Sequence, residues 1–232
     1  MKNGVLLTAT LLGSLLISAQ AVAGASANIG ATSNYIWRGM AQSQDKGAVQ
    51  AGLDYSAENG VYVGAWTSTV DFGDTDYKGS EVDVYAGYKK ELPNGVSYDV
   101  GAIQYAYPSE DYNYDFTEVY GKLGYKGVGA EVSYTVDKEL DTPYKNDVYY
   151  AVGYTGKLPN DFSYGVKVGR YDWDDPSADD TDHSQISLNK TVGKAGDFTL
   201  AVDKTDKGNI ADFYNGTDDT RVSLSWKKSF DF

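Results

Sequence analysis

Two kinds of connection alternate along this chain, and that alternation constrains its fold more than any other feature. Apolar residues recur at every second position in one segment after another. Val82, Val84, Ala86 and Tyr88 oppose Glu81, Asp83 and Lys89, and Val128, Ala130, Val132, Tyr134 and Val136 oppose Glu131, Ser133 and Thr135. Period two puts the two sets on opposite faces of a strand. About twelve such segments follow one another between Ile29 and Phe232, a rhythm of strands separated by turn signals. Every even segment ends in a short turn: Glu58-Asn59-Gly60, Leu92-Pro93-Asn94-Gly95, Lys126-Gly127, Leu158-Pro159-Asn160-Asp161 and Lys194-Ala195-Gly196-Asp197. Every odd segment ends in a long polar loop, near 39–46, 71–79, 107–115, 137–147, 171–182 and 204–219.

An even number of strands with sorted connections places both termini on the short-turn side. Transmembrane barrels have that asymmetry, with short turns on one side of the membrane and long loops on the other. A soluble sandwich or lipocalin-like barrel has no reason to sort its loops. The expected fold is therefore all-β, an antiparallel up-and-down transmembrane β-barrel of about twelve strands with short periplasmic turns and long extracellular loops. Two segments are irregular. In Val61–Val70, Val61, Val63 and Ala65 point one way while Tyr62 and Trp66 point the other. After Val96, Tyr98, Val100 and Ala102, the residues Ile103 and Tyr105 change parity, which a β-bulge explains. Aromatic rings favour the lipid headgroup zone. Tyr35 and Trp37, at the end of the first segment, are expected at the outer rim; Tyr55, Tyr88, Tyr125, Trp226 and Phe230 fall nearer the inner rim or mid-strand.

The ends and the composition agree. Met1-Lys2-Asn3, an apolar run from Gly4 to Ser18 and small residues around Ala21-Val22-Ala23 read as a secretory signal peptide over 1–23, leaving one barrel domain over 24–232. There is no cysteine, so no disulfide framework holds the exported chain. Formal net charge is −13, with no basic stripe, which argues against nucleic acid as a partner. A mean hydropathy of −0.45 excludes a helical membrane bundle but not a barrel, where only alternate residues need be apolar. Tyr (21) and Gly (26) are abundant and Pro (5) is scarce, as suits strands and tight turns.

The terminal stretch Arg221–Phe232 alternates Val222, Leu224, Trp226, Phe230 and Phe232 against Arg221, Ser223, Ser225, Lys227, Ser229 and Asp231, with Lys228 breaking the apolar face. It resembles the last strand of bacterial outer-membrane barrels. That resemblance implies that Trp226, Phe230 and Phe232 form the signal read by the barrel-assembly machinery. The runs Ser33-Asn34-Tyr35-Ile36-Trp37-Arg38-Gly39, Ala48–Tyr55, Gly60–Ser68, Tyr105-Ala106-Tyr107-Pro108 and Glu118-Val119-Tyr120-Gly121 resemble the TorF-type porins of proteobacteria, across nearly the whole mature chain. Gly47 stands where that family often has Pro, and Ala51 where it often has Gly. The resemblance implies an outer-membrane barrel and a pore, with little to say about its solute.

On this register the inward charges are Arg38, Asp54, Glu81, Asp83, Lys89, Asp99, Glu118, Lys122, Glu131, Lys167, Asp203, Arg221 and Lys227. They read as a pore lining that filters small polar or charged solutes and ions, or as a salt-bridged interior that plugs a small barrel. The second reading makes the chain a non-conducting barrel whose acidic loops serve interaction or membrane integrity. Those loops hold Asp71, Asp74 and Asp76, then Asp172, Asp174, Asp175, Asp179, Asp180 and Asp182. They lack the calcium-loop spacing with its central Gly and closing Glu, so no metal or cofactor is expected. Lipid, and lipopolysaccharide bridged through divalent ions, are the expected surface partners. The single histidine, His183, shares parity with Gln185, Ser187 and Asn189 and so faces away from lipid, where a lipid-active enzyme needs its base. No enzymatic activity is expected.

Overall fold

The computed structural model describes residues 23–73, 77–108, 111, 114–140, 142–206 and 219–232. Residues 1–22, within the expected signal peptide, and 207–218, within the last expected long loop, lie outside them, as do Asp74 and Asp76.

Twelve strands form one closed antiparallel barrel in chain order. They are β1 (Gly24–Thr32), β4 (Ala48–Ser56), β5 (Val61–Asp71), β6 (Lys78–Glu91), β7 (Val96–Ala106), β8 (Phe116–Tyr125), β9 (Val128–Lys138), β10 (Val148–Leu158), β11 (Phe162–Asp172), β12 (Thr181–Thr191), β13 (Asp197–Asp206) and β14 (Asp219–Asp231). Two short strands, β2 (Ile36–Trp37) and β3 (Met40–Ala41), pair only with each other. β1 closes the barrel on β14, from Ser26 opposite Asp231 to Thr32 opposite Ser225, and Phe232 N adds a hydrogen bond to Ala25 O at 3.0 Å. Closure leaves no unpaired strand edge, the condition for backbone in lipid.

The outer wall is apolar. Val49, Leu53, Val84, Val100, Leu123, Val168, Ile186, Leu200, Val222 and Leu224 are among its exposed residues, so the alternation turns its greasy face outward. Among the described residues no helix is long and apolar enough to cross a membrane. Aromatics ring the short-turn end, with Tyr55, Tyr125, Tyr154, Tyr164, Phe198 and Phe230 exposed, while Tyr134 and Tyr150 stand nearer the long-loop end. The short turns use left-handed backbone, mostly at Gly and Asn. Lys126 and Gly127 have φ of 49° and 86°, the two positive values a tight hairpin requires.

Tyr62 and Trp66 are buried inside the barrel while Val61 and Val63 are exposed, the two faces that the pattern of β5 suggested. Two local expectations are corrected. β7 has no bulge: its ladders to β6 and β8 run without interruption, and Ile103 and Tyr105 simply point inward with Asp99. They are apolar and inward because they meet other rings there. The register shift lies instead between β8 and β9, at Thr117 and Glu118. Finally, the first strand does not run on to Trp37. It stops at Thr32, where Thr32 Oγ1 donates to Asn34 O at 2.8 Å and turns the chain. Residues 33–47 then fold into the barrel, so Tyr35 and Trp37 are interior residues and take no part in an outer girdle.

Candidate functional site in the barrel lumen

The inward segment is a strap with the β2–β3 hairpin at its tip. Ile36 pairs with Ala41 and Trp37 with Met40, leaving Arg38-Gly39 as a two-residue turn. Both have positive φ, 49° and 85°, which a type I′ turn demands and which suits Gly or Asn far better than Arg. Gly39 has no alternative. A Cβ there would lie 2.6 Å from His183 Cβ and 2.7 Å from Thr205 Oγ1.

The strap touches the wall nearly all the way round. Tyr35 Oη donates to Glu81 Oε1 on β6 at 3.1 Å, and its ring meets Trp66 of β5 edge-on at 5.6 Å. Asp71 N of β5 donates to Gln42 O at 2.9 Å. Trp37 packs against Tyr105 of β7, Phe116 of β8 and Tyr171 of β11. Arg38 gives Glu118 of β8 a bidentate pair at 2.7 and 2.7 Å, with its guanidinium 4.2 Å from the Tyr149 ring of β10. Thr205 Oγ1 of β13 donates to Gly39 O at 2.6 Å. Arg221 Nε of β14 donates to Asp45 Oδ1 at 3.0 Å, and Asn34 Nδ2 reaches the same oxygen at 2.5 Å.

Packing follows from these anchors. On the long-loop half, each of the twelve strands presents a buried inward residue: Thr32, Ala48, Ser68, Glu81, Ile103, Glu118, Thr135, Tyr149, Tyr171, His183, Asp203 and Arg221, none more than 8% exposed. Among the described residues, side chains of strap and wall therefore pack together and seal this half. The short-turn half differs. Asp54, Lys89, Asp99, Lys122, Glu131, Lys167 and Lys227 are only partly buried, and form a wet vestibule beneath the strap.

The vestibule's two walls are unlike. On β4–β8, tyrosines and carboxylates interlock. Tyr85 Oη donates to Asp54 at 2.5 Å, Tyr62 Oη donates to Asp99 at 2.6 Å, and the Tyr62 and Tyr120 hydroxyls are in contact. Lys89 Nζ lies 5.0 Å from the centre of the Tyr62 ring, and Lys122 Nζ is 3.5 Å from Glu131. On β10–β14 the inward residues are small or uncharged, such as Ala151, Gly165, Ser187, Asn189 and Thr199, and Lys167 and Lys227 stand among them. Among the described residues neither lysine has a carboxylate within salt-bridge distance.

All thirteen sequence-selected charges thus lie within the barrel, in two groups. Arg38, Glu81, Asp83, Glu118, Asp203 and Arg221 belong to the sealed half, and the other seven to the vestibule. Arg38 comes from the strap and not from a wall strand, and its pairing with Glu118 crosses the lumen. Sequence reasoning missed Tyr149, Tyr171 and Thr205 as strap contacts. The Arg-Gly turn was the available signal. Trp226, Phe230 and Phe232 lie at the barrel's seam, with Phe232 83% exposed.

His183 is a seat for the strap. It is buried, stacks on Tyr149 at 5.7 Å, and shares a 2.9 Å hydrogen bond between its Nε2 and Tyr149 Oη; Nδ1 has no partner among the described residues. No serine or carboxylate relay forms on it among the described residues. The acidic outer loop, for its part, binds itself. Arg170 reaches Asp172, Asp180 and Asp182 at 2.7, 2.5 and 3.1 Å. Asp175 accepts from Ser177, whose hydroxyl and backbone N–H hold that carboxyl below the ordinary aspartate range.

The closed barrel has known counterparts. The KdgM porin superposes with a TM-score of 0.56 at 12% identity, over 88% of this chain and 99% of its own. An outer-membrane channel of Pseudomonas putida F1 gives 0.56 at 10% identity, over 91% and 97%. The NanC porin gives 0.51 at 16%, over 90% and 99%. A further structure is the KdgM porin in complex with disordered oligogalacturonate, at a TM-score of 0.57 and 10% identity, over 89% and 99%. At these identities the likeness is one of fold. No curated protein sequence matches the chain. A family model does match, over residues 18–230, and the chain belongs to that family, described as bacterial protein of unknown function (Gcw_chp).

Proposed function

We propose that this chain is an outer-membrane channel for small polar or charged solutes or ions, non-enzymatic, and shut at rest by its own first loop. The observation that carries the reading is a closed twelve-strand barrel, greasy outside and charged inside, with a wet vestibule under a seated strap. Signal-directed export of residues 24–232 places the short turns in the periplasm and the long loops outside. The TorF-type resemblance belongs to the same proposal, as do the thirteen lumen charges as the solute-facing set. The terminal strand, with Trp226, Phe230 and Phe232, engages the assembly machinery, and the acidic loops meet lipopolysaccharide. A porin of this fold has been seen with an oligosaccharide, which supports passage of solutes larger than single ions.

One observation favours a second reading. Burial on all twelve strands also suits a permanently filled barrel that acts only through its loops. Conductance separates the two. Refolded protein in a planar bilayer under asymmetric salt is expected to show discrete steps between long closed intervals. Silence from folded, heat-modifiable protein, in strap variants as well, would sink the channel and leave the filled barrel.

A further inference from the structure

We propose that the sealed half of the lumen is a binding site for small cationic solutes carrying a guanidinium or amine, and that Arg38 occupies it as their surrogate. The inference rests on the channel reading above and specifies its solute class.

The receptor belongs to the wall and not to the strap. Glu118 supplies both carboxylate oxygens at 2.7 Å, and the rings of Tyr149 and Tyr171 lie 4.2 and 5.5 Å from the guanidinium carbon. A planar cation is recognised by this combination, a forked carboxylate with aromatic faces around it. A strap that merely filled space would need no charge at its tip. Here the tip holds an Arg at φ 49°, a backbone state that Gly or Asn adopts more easily. The strain is maintained where the guanidinium meets its carboxylate.

The remaining wall charge points the same way. Glu81, Asp83, Glu118 and Asp203 are buried there beside the single wall guanidinium of Arg221, so carboxyl groups outnumber guanidinium groups on this part of the wall once the strap is out. Glu81 Oε2, Asp83 Oδ1 and Asp203 Oδ2 have no hydrogen-bond partner among the described residues. An anion entering this half meets carboxyl oxygens, whereas a cation replaces what Arg38 supplied. A solute that competes with Arg38 also shifts the strap toward its lifted state, because it binds only that state.

Agmatine, which carries both a guanidinium and an amine, tests this on the full refolded chain, read by tryptophan fluorescence, since Trp37 lies 4.3 Å from the Arg38 guanidinium. Arg38→Gln is expected to bind agmatine about tenfold or more tightly than the parent, as a vacated charge-assisted site should. Adding Glu118→Gln should abolish the gain, and glucuronate should bind none of them. In bilayers with a KCl gradient, Arg38→Gln should show a cation-preferring reversal potential. Agmatine binding that ignores Arg38 or Glu118, or an anion preference, overturns the proposal. Should the double variant fail the heat-modifiability check, Glu118→Gln alone must still lose agmatine binding relative to Arg38→Gln. If agmatine follows the expected pattern while every variant is silent in the bilayer, the site stands and the channel falls. Conduction without the pattern fails the site alone.

Discussion

Gly39→Ala should open this barrel. The methyl group would sit 2.6 Å from His183 Cβ and 2.7 Å from Thr205 Oγ1, well inside contact distance, so the tip cannot stay where it is. Three costs add up on the seated strap. Holding a non-Gly residue at φ 85° costs about 1–2 kcal/mol. Overpacking against the β12–β13 wall costs about 1–3 kcal/mol. Losing the 2.6 Å bond from Thr205 Oγ1 to Gly39 O costs roughly 1 kcal/mol. The seated state therefore weakens by about 3–6 kcal/mol, and the ratio of lifted to seated strap rises by roughly a hundredfold to about 10,000-fold or more. The barrel ladder is untouched, so heat-modifiable migration should match the parent. Single-channel recording should then show an open fraction raised by at least tenfold. Thr205→Val, which removes only the hydrogen bond, should shift it by less. An open fraction for folded Gly39→Ala equal to that of the parent would refute the idea that the strap is the gate.

Other expectations test separate parts of the account. Glu118→Gln leaves the Arg38 guanidinium buried beside a neutral amide, and breaking a buried pair costs about 3–5 kcal/mol, so this variant should also conduct more often than the parent. Leu200→Arg puts a charge in the exposed apolar belt and should destabilise the barrel in vesicles by about 2–4 kcal/mol in denaturant titrations, while Ser187→Arg on the inner face should cost far less. Replacing Phe232 by Ser should lower the amount assembled in cells several-fold and leave in vitro refolding unchanged, because its ring is exposed. Equal levels in cells would remove the terminal strand from the assembly proposal.

The barrel was legible because period-two alternation and the choice of turn residues are local rules, read from neighbours in the chain. Val84 beside Asp83, or Leu224 beside Ser223, declares its face without knowing the rest of the fold. The strap was not legible, and the reason is specific. Ile29, Ala31, Ser33, Tyr35 and Trp37 keep one parity through the point where the strand ends, so the pattern reads as a single strand. The break lies in the Thr32–Asn34 turn and in Arg38-Gly39, two signals outweighed by the apolar alternation around them. Whether Tyr35 and Trp37 meet lipid or lumen depends on Trp66, Tyr105 and Tyr171, which lie 31 to 134 residues from the ring each one meets. Such rings are satisfied by either apolar surroundings, and only tertiary packing chooses. The charges fared better, since inward parity identifies them wherever a strand continues. Arg38 reached the right compartment by another route, from the tip of a hairpin.

A reversible lock on the strap tests the central claim most directly. The chain has no cysteine, so Arg38→Cys with Glu118→Cys introduces one unambiguous pair between the strap's tip and β8, and a bis-methanethiosulfonate long enough to replace the native 2.7 Å side-chain pair joins them through reducible disulfides. Refolded and cross-linked, this variant should be closed in a planar bilayer, and adding a reductant should bring discrete conductance steps from the same molecules. Equal conductance before and after reduction, with the cross-link verified by mass, would contradict a channel closed by its own first loop.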